Sequence, residues 1–276
     1  MKNTLLFFFL ALLVLFIVLV VIFLCFLVFY SPSLVREGLP VAVSGHGGVS
    51  RIPKILLQVS REYQSPEVVD ALMKHAPGYR YINFTDDGCI DYFRRHPMKE
   101  FPALEEKFNS FRKGAHKADL FRYVFLYQQG GVFIDSDMML YENLDLVLGN
   151  HDLVTIRGYE FWRRSLFNGF IGTVRGHPVL LEALRHAYTT SPKELDADYF
   201  LFVKKFYEII QQYCLLYPQQ KDKKTIGIYQ EKLVLRWNNM HTITTNTMLP
   251  SDHDHDPRQT VIARHFFWNK KIDLSI

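Results

Sequence analysis

The chain opens on a run that has no polar face. From Leu5 to Tyr30 no residue carries a charge, and almost all are Leu, Val, Ile or Phe. At ~1.5 Å per residue, a helix over this run is about 39 Å long, enough to cross a ~30 Å hydrocarbon core with some tilt. A secretory signal peptide is the competing reading, but its apolar region usually stops after ~7–15 residues at a small-residue cleavage site. Phe29-Tyr30-Ser31-Pro32 is a poor site of that kind. A retained anchor over 5–30 is therefore expected, behind a short tail at 1–4. Lys2 and the amino terminus precede the span, while Arg36 and Glu37 nearly cancel after it. The positive-inside rule then places the tail in the cytosol and the body in the lumen, a type II single-pass topology of the ER or Golgi membrane.

After the anchor the pattern changes. Residues 31–50 are rich in Gly, Ser, Pro and Val and read as a stem. The rest, 51–276, is long enough for one domain with a sizeable core. Ile52-Pro53-Lys54-Ile55-Leu56-Leu57-Gln58-Val59 is a short apolar run and predicts a buried first strand. Ser65-Pro66-Glu67 opens a helix to about His75, with Ser at the cap and Pro in the first turn. Tyr79 to Phe84 alternates as a strand does, and Asp86 to Arg95 reads as a helix. Gly114 to Gln129 is apolar around most of its circumference, so a largely buried helix is expected, ended by Gly130-Gly131. Val132-Phe133-Ile134 is then a buried strand running into Asp135. Further strands are predicted over 153–156 and 169–174, helices over 177–188 and 195–216, and a late apolar run over 261–267. Strands alternating with helices imply an α/β sandwich around a mostly parallel sheet, in which ligands bind at the carboxyl ends of the strands.

Charge and cysteine usage narrow the picture a little. The 32 Lys+Arg against 28 Asp+Glu give no long basic run, so no nucleic-acid partner is expected. Cys25 lies in the anchor; Cys89 and Cys214 are either a lumenal disulfide or two buried thiols. Asn83-Phe84-Thr85 is an N-glycosylation sequon, usable only in a lumenal compartment.

The chemistry concentrates at Asp135 and Asp137. Residues one apart in an extended segment project to the same side, so both carboxylates can face one ligand. Hard divalent cations take oxygen ligands and bridge to substrate phosphates through one or two carboxylates. A capping Asp in a solvated turn is the plain alternative. The apolar strand, the Gly-Gly and the buried helix before the pair are not the setting of such a turn. Asp119 and Arg122 form a second pair, one helical turn apart in that buried helix. They read either as an internal salt bridge or as a polar cluster facing sugar hydroxyls.

Lys117-Ala118-Asp119-Leu120-Phe121-Arg122-Tyr123, Leu126-Tyr127 and Gly130-Gly131-Val132-Phe133-Ile134-Asp135-Ser136-Asp137 together resemble the signature of the glycosyltransferases with a DXD-containing sugar-binding region. That group includes the inositol-phosphoceramide mannosyltransferases. Ile52-Pro53-Lys54-Ile55 with Gln58, and Asn168-Gly169-Phe170 followed by Gly176-His177-Pro178, resemble the family's opening strand and mid-domain motif. The resemblance runs from Arg51 to His265.

It implies a GT-A-type, Rossmann-like α/β/α sandwich behind the transmembrane helix. It also implies a GDP- or UDP-hexose donor, Mn²⁺ or Mg²⁺, and retention of configuration at the transferred hexose. Asp137 would ligate the metal directly. Asp135 would hold the ribose or sugar and reach the metal through water, making this pair the catalytic core. Asp119, Arg122, Asp135 and Asn168 would bind the donor, and His265 would complete the metal site. The acceptor is a glycan or a glycolipid.

Two departures stand out. Leu57 and Ser60 occupy positions where the family often has His and Trp, and the late Thr-Gly-Pro and Ser-Trp are matched only by Thr225-Ile226-Gly227 and Phe267-Trp268. A metal-dependent phosphohydrolase is a rival, but it needs further Thr, Lys and acidic residues that cannot be placed. A non-catalytic sugar-nucleotide-binding or assembly subunit is the other. Asp252-His253-Asp254-His255-Asp256 reads as a solvated loop.

Overall fold

The computed structural model describes residues 50–158, 166–216, 226–236, 239–248 and 261–265. The anchor, nearly all of the stem, Thr225, Asp252 to Asp256 and Phe267-Trp268 lie outside the described residues. Among the described residues no helix is long and apolar enough to cross a membrane.

The first part of the body alternates strands and helices: β1 (Ile55–Val59), α1 (Pro66–Met73), β2 (Arg80–Phe84), α2 (Asp86–Arg95), α3 (Leu104–Ser110), α4 (Gly114–Gln129) and β3 (Gly131–Ile134). β4 (Met138–Leu140), α5 (Leu144–Leu148), β5 (Leu153–Arg157) and β6 (Leu166–Thr173) follow. Three helices come next, α6 (Pro178–Thr189), α7 (Pro192–Ala197) and α8 (Leu201–Leu216), and the strands β7 (Ile226–Arg236), β8 (Asn239–Met248) and β9 (Val261–His265) come last.

The strands form one sheet in the order β2-β1-β3-β6-β5-β7-β8-β9-β4. This corrects the expectation of a mostly parallel sheet. β1 pairs in parallel with β2 and β3, and β5 with β7, while β3–β6, β5–β6, β7–β8, β8–β9 and β4–β9 are antiparallel. The error has a physical cause: a parallel pair needs a crossover, usually helical, between its strands. β5 to β6 and β7 to β8 are instead joined by connections too short for one.

Helices cover both faces. Val132 and Ile134 of β3 and Val154 and Ile156 of β5, which alternate along their strands, join one apolar cluster with Leu72 of α1, Ala76 just after it, and Leu144, Val147 and Leu148 of α5. On the opposite side Phe84, Tyr92, Phe93, Phe121 and Phe125 interlock through ring contacts of 4.9–5.8 Å, tying α2 and α4 to β2. α4 is buried at ten positions, including Asp119 and Arg122.

α4 ends where Gly130 takes φ 68° and its N–H reaches Leu126 O at 2.8 Å. Only glycine fits there: a Cβ would meet Arg175 N at 2.7 Å, and one at Gly131 would meet Ile55 O at 2.9 Å. The Gly-Gly pair thus lets the chain reverse tightly against β1 and enter β3.

The single helix expected over 195–216 is two. α7 starts at a capping box between Ser191 and Glu194, and the chain leaves helical conformation at Asp198 (φ −138°, ψ 98°) before α8. Cys89 and Cys214 are free thiols, with burial pushing Cys214 up to about 11. Asn83 lies in β2, its amide donating to Ser60 Oγ at 2.9 Å, and Thr85 of the sequon caps α2.

Candidate metal and donor site

The site begins where β3 runs out. Asp135 N–H donates to Gly169 O at 2.8 Å, extending the β3–β6 pairing by one residue. Its own carbonyl accepts from Gln58 Nε2 at 3.0 Å and from Met138 N–H at 3.0 Å, closing a tight turn over 135–138. Gln58 is fully buried, and its Oε1 accepts from Tyr81 at 2.7 Å, so β1 and β2 both brace the turn. Ser136 O accepts from Gln64 Nε2 at 2.6 Å.

The sheet brings in the distant histidine. β4 pairs with β9 in a register that opposes Met138 to His265. This sets His265 Nε2 3.4 Å from Asp137 Oδ1, with the His265 ring 4.5 Å from that of Phe167. Ligand atoms of Asp135, Asp137 and His265 lie within 4.8 Å of one another, the arrangement expected of a cation site. Two carboxylates and one imidazole are a donor set that suits Mn²⁺ or Mg²⁺ with substrate oxygens completing the shell.

A buried polar layer backs the pair. Arg122, with a side chain 4% exposed, lies 3.2 Å from Asp135 Oδ1 and 3.5 Å from Asp119 Oδ1. Its Nε donates to Ala118 O at 3.2 Å, its Nη1 donates to Asn168 O, and its guanidinium stacks 3.9 Å from the Phe133 ring. Asn168 Nδ2 donates to Tyr123 Oη at 2.7 Å and to Asp119 Oδ1 at 3.2 Å. Asn168 Oδ1 is buried without a hydrogen-bond partner, an acceptor left over beside the carboxylates. Gly169 is essential to this packing, because a Cβ there would collide with the Asp135 carboxylate and the Phe167 ring.

Electrostatics separates the two aspartates. Burial raises Asp135 above the usual carboxylate range, and Arg122, the largest opposing influence, does not fully offset it. Burial also works to raise Asp137, but the hydrogen bond and charge of His265 outweigh it and hold Asp137 low. Asp119 is raised, burial again dominating over Arg122 and His116.

Every residue expected at the site is in one connected cluster: Asp119, Arg122, Asp135, Asp137, Asn168 and His265. The Asp119–Arg122 pair is at once a salt bridge and part of the polar cluster. Gln64, Tyr81 and Phe167 were not anticipated. Gln64 and Tyr81 act across the sheet edge and leave no local pattern; Phe167 shares a strand face with Gly169, a signal the alternation in β6 could have given.

Residues 64–154 match the profile of the family described as “Glycosyltransferase sugar-binding region containing DXD motif”. Inositol phosphoceramide mannosyltransferase 3 of Schizosaccharomyces pombe is 27% identical over 144 residues, 49% of this chain and 37% of that protein. Mannosyl phosphorylinositol ceramide synthase SUR1 of Saccharomyces cerevisiae is 29% identical over 159 residues, 54% of this chain and 37% of that protein. The chain thus spans a little over a third of the length of these curated relatives. A solved structure titled PaToxG Glycosyltransferase aligns with a TM-score of 0.41 and 14% identity, covering 62% of this chain and 71% of that one.

Proposed function

We propose that this protein, whose residues 64–154 match the glycosyltransferase sugar-binding profile with a DXD motif, is a metal-dependent hexosyltransferase of GT-A type. It takes a hexose from a GDP- or UDP-hexose and transfers it to a glycan or glycolipid, retaining anomeric configuration. The observation that carries this reading is the convergence of Asp135, Asp137 and His265 at the end of β3, backed by Arg122 and the partnerless Asn168 Oδ1.

Asp137 and His265 would hold the cation and Asp135 would share it or face the donor. A cation held there would supply Lewis-acid chemistry towards the diphosphate leaving group. Arg122 fixes Asp135 from behind and keeps its charge compensated in a buried setting. Asn168 would hold Asp119 in place through Nδ2, and the Asp119 carboxylate would offer an acceptor to a sugar hydroxyl. In the transfer, the bond from the anomeric carbon to the diphosphate oxygen breaks and the acceptor oxygen bonds to the same face. The hydroxyl proton leaves with the diphosphate.

The relatives' names put an inositol phosphoceramide first among acceptors to try. The uncharged run over 5–30 supports a type II anchor in the ER or Golgi membrane, which would bring such a lipid within reach.

The test is nucleotide release from GDP- and UDP-hexoses by the purified protein with Mn²⁺ or Mg²⁺. Asp137→Ala should lower release at least about a hundredfold, as expected when a Lewis acid worth several kcal/mol is lost. Full activity in that variant sinks the site assignment. No release by the wild type favours a binding or assembly subunit instead.

A further inference from the structure

β6 is regular along one edge and broken along the other. Against β3 its pairing runs without interruption from Gly131 and Thr173 to Ile134 and Phe170, and the Asp135 N–H bond to Gly169 O continues it. Against β5 the register jumps: Thr155 stands opposite Ile171, but the next residue, Ile156, stands opposite Phe167. Asn168, Gly169 and Phe170 therefore form a bulge with no paired residue in β5. Bulges re-aim side chains and recur beside active sites.

Each carbonyl of the bulge has a donor of its own. Asn168 O accepts from Arg122 Nη1, Gly169 O from Asp135 N–H, and Phe170 O from Thr155 Oγ1 at 3.1 Å. Successive residues of an antiparallel strand turn their peptide groups to opposite neighbours. Gly169 O faces β3, so Phe170 O turns to β5 at the point where the register has broken. The Thr155 hydroxyl meets it there.

Thr155 is the odd residue of its strand. Leu153, Val154 and Ile156 are buried and apolar, and Thr155 is fully buried among them with a hydroxyl in place of a methyl group. A valine would fill the same space with no polar atom to satisfy, so the hydroxyl needs a use.

The bulge bears on two of the candidate cation ligands. At Gly169 the backbone comes so close to Asp135 that a Cβ would collide with its carboxylate. At the other end Phe167 rejoins the β5 register, and its ring lies 4.5 Å from that of His265. A shift of the bulge thus moves Asp135 and His265 relative to each other.

We propose that Thr155 is a positioning residue: its hydroxyl latches the β6 bulge, and the latched bulge sets Asp135 and His265 at the separation a divalent cation requires. This rests on the reading of Asp135, Asp137 and His265 as a cation site. Thr155 acts on that site through the backbone of β6.

The test compares the purified full-length wild type with Thr155→Val, Thr155→Ser and Thr173→Val. The first keeps the shape and loses the donor, and the second keeps the donor. Thr173 is a buried hydroxyl of the same strand outside the bulge, bonded to Val174 O at 3.1 Å. Mn²⁺ affinity is read by titration calorimetry, and amide exchange over 134–138 is read by mass spectrometry on the metal-free protein. Thr155→Val should weaken Mn²⁺ about tenfold, the usual loss when a group that orients a metal ligand is removed, and should speed the exchange. Thr155→Ser and Thr173→Val should match the wild type in both. An unchanged value in either readout for Thr155→Val overturns the proposal. Equal losses in Thr155→Val and Thr173→Val overturn it too, since they mark a general softening of the strand. Should Thr155→Val not fold, Thr155→Cys, of similar size with only a weak S–H donor, takes its place under the same criteria. A wild type that binds no Mn²⁺ removes the cation reading, and the exchange comparison then decides the role of Thr155 by itself.

Discussion

The guanidinium of Arg122 lies 3.2 Å from the Asp135 carboxylate, from a side chain 4% exposed that also faces Asp119 at 3.5 Å. One cation thus compensates two aspartates, each of which burial pushes towards protonation. Removing it leaves both without their partner in a setting where breaking a buried pair typically costs about 3–5 kcal/mol. Arg122→Met should lower the urea unfolding midpoint accordingly. Arg122→Lys should lose less, since it keeps the charge, yet an ammonium cannot fork to Asp135, Asp119 and Asn168 O together. Equal midpoints for Arg122→Met and wild type would remove Arg122 from this role.

Gly169 tests whether the site's geometry can be damaged without comparable damage to the fold. A Cβ there strikes the Asp135 carboxylate and the end of the Phe167 ring, and a Cβ at Gly172 strikes Leu148 in the core instead. Both Gly→Ala variants should lose about 1–3 kcal/mol from overpacking. Gly169→Ala alone should also lose about a hundredfold in kcat, the usual result of misplacing a reacting group by an ångström or so. Parallel losses in the two variants would show that Asp135 need not be where it is.

Much of the first half of the body was legible because its signals are local. α2 and α4 span the residues expected of them, Asp86–Arg95 and Gly114–Gln129, and α4 stops at its Gly-Gly pair. β3 was readable as an apolar run closed by Asp135. The candidate site cluster was legible through a motif, since Asp119, Arg122, Asp135 and Asp137 lie close in sequence. What escaped depends on pairing between distant segments. The β7–β8 hairpin, the antiparallel placement of β6 beside β3, and the insertion of β9 next to β4 leave no periodicity that names their partners. His265 could be named from resemblance, but its place beside Asp137 is set by the β4–β9 register. The break before α8 escapes because Asp198 is a weak signal in an otherwise helical stretch.

The β4–β9 register also makes His265 testable as a ligand. With its Nε2 3.4 Å from Asp137 Oδ1, the imidazole either binds the cation or merely pairs with the carboxylate. Titration calorimetry with Mn²⁺ separates the two. His265→Ala should weaken Mn²⁺ at least about tenfold, roughly 1.4 kcal/mol, and Asp137→Ala should abolish measurable binding. Unchanged affinity in His265→Ala would leave the cation to the aspartates alone.

Away from the site, His177 gives the fold a pH dependence of its own. It is the N-cap of α6, its Nδ1 accepting from Val179 N–H at 3.2 Å, and burial lowers its pKa to about 4. The neutral ring is required, because a protonated Nδ1 can no longer accept that bond. The unfolded chain, with an ordinary histidine near pH 6.5, takes up a proton that the folded chain refuses until about pH 4. This contribution is therefore complete above pH 6.5 and is lost progressively as the pH falls towards 4, by up to about 3 kcal/mol. His177→Asn keeps a capping acceptor but cannot titrate. Urea midpoints measured between pH 7 and pH 4 should fall less steeply for His177→Asn than for the wild type. Parallel pH profiles would mean that the cap does not sense the proton.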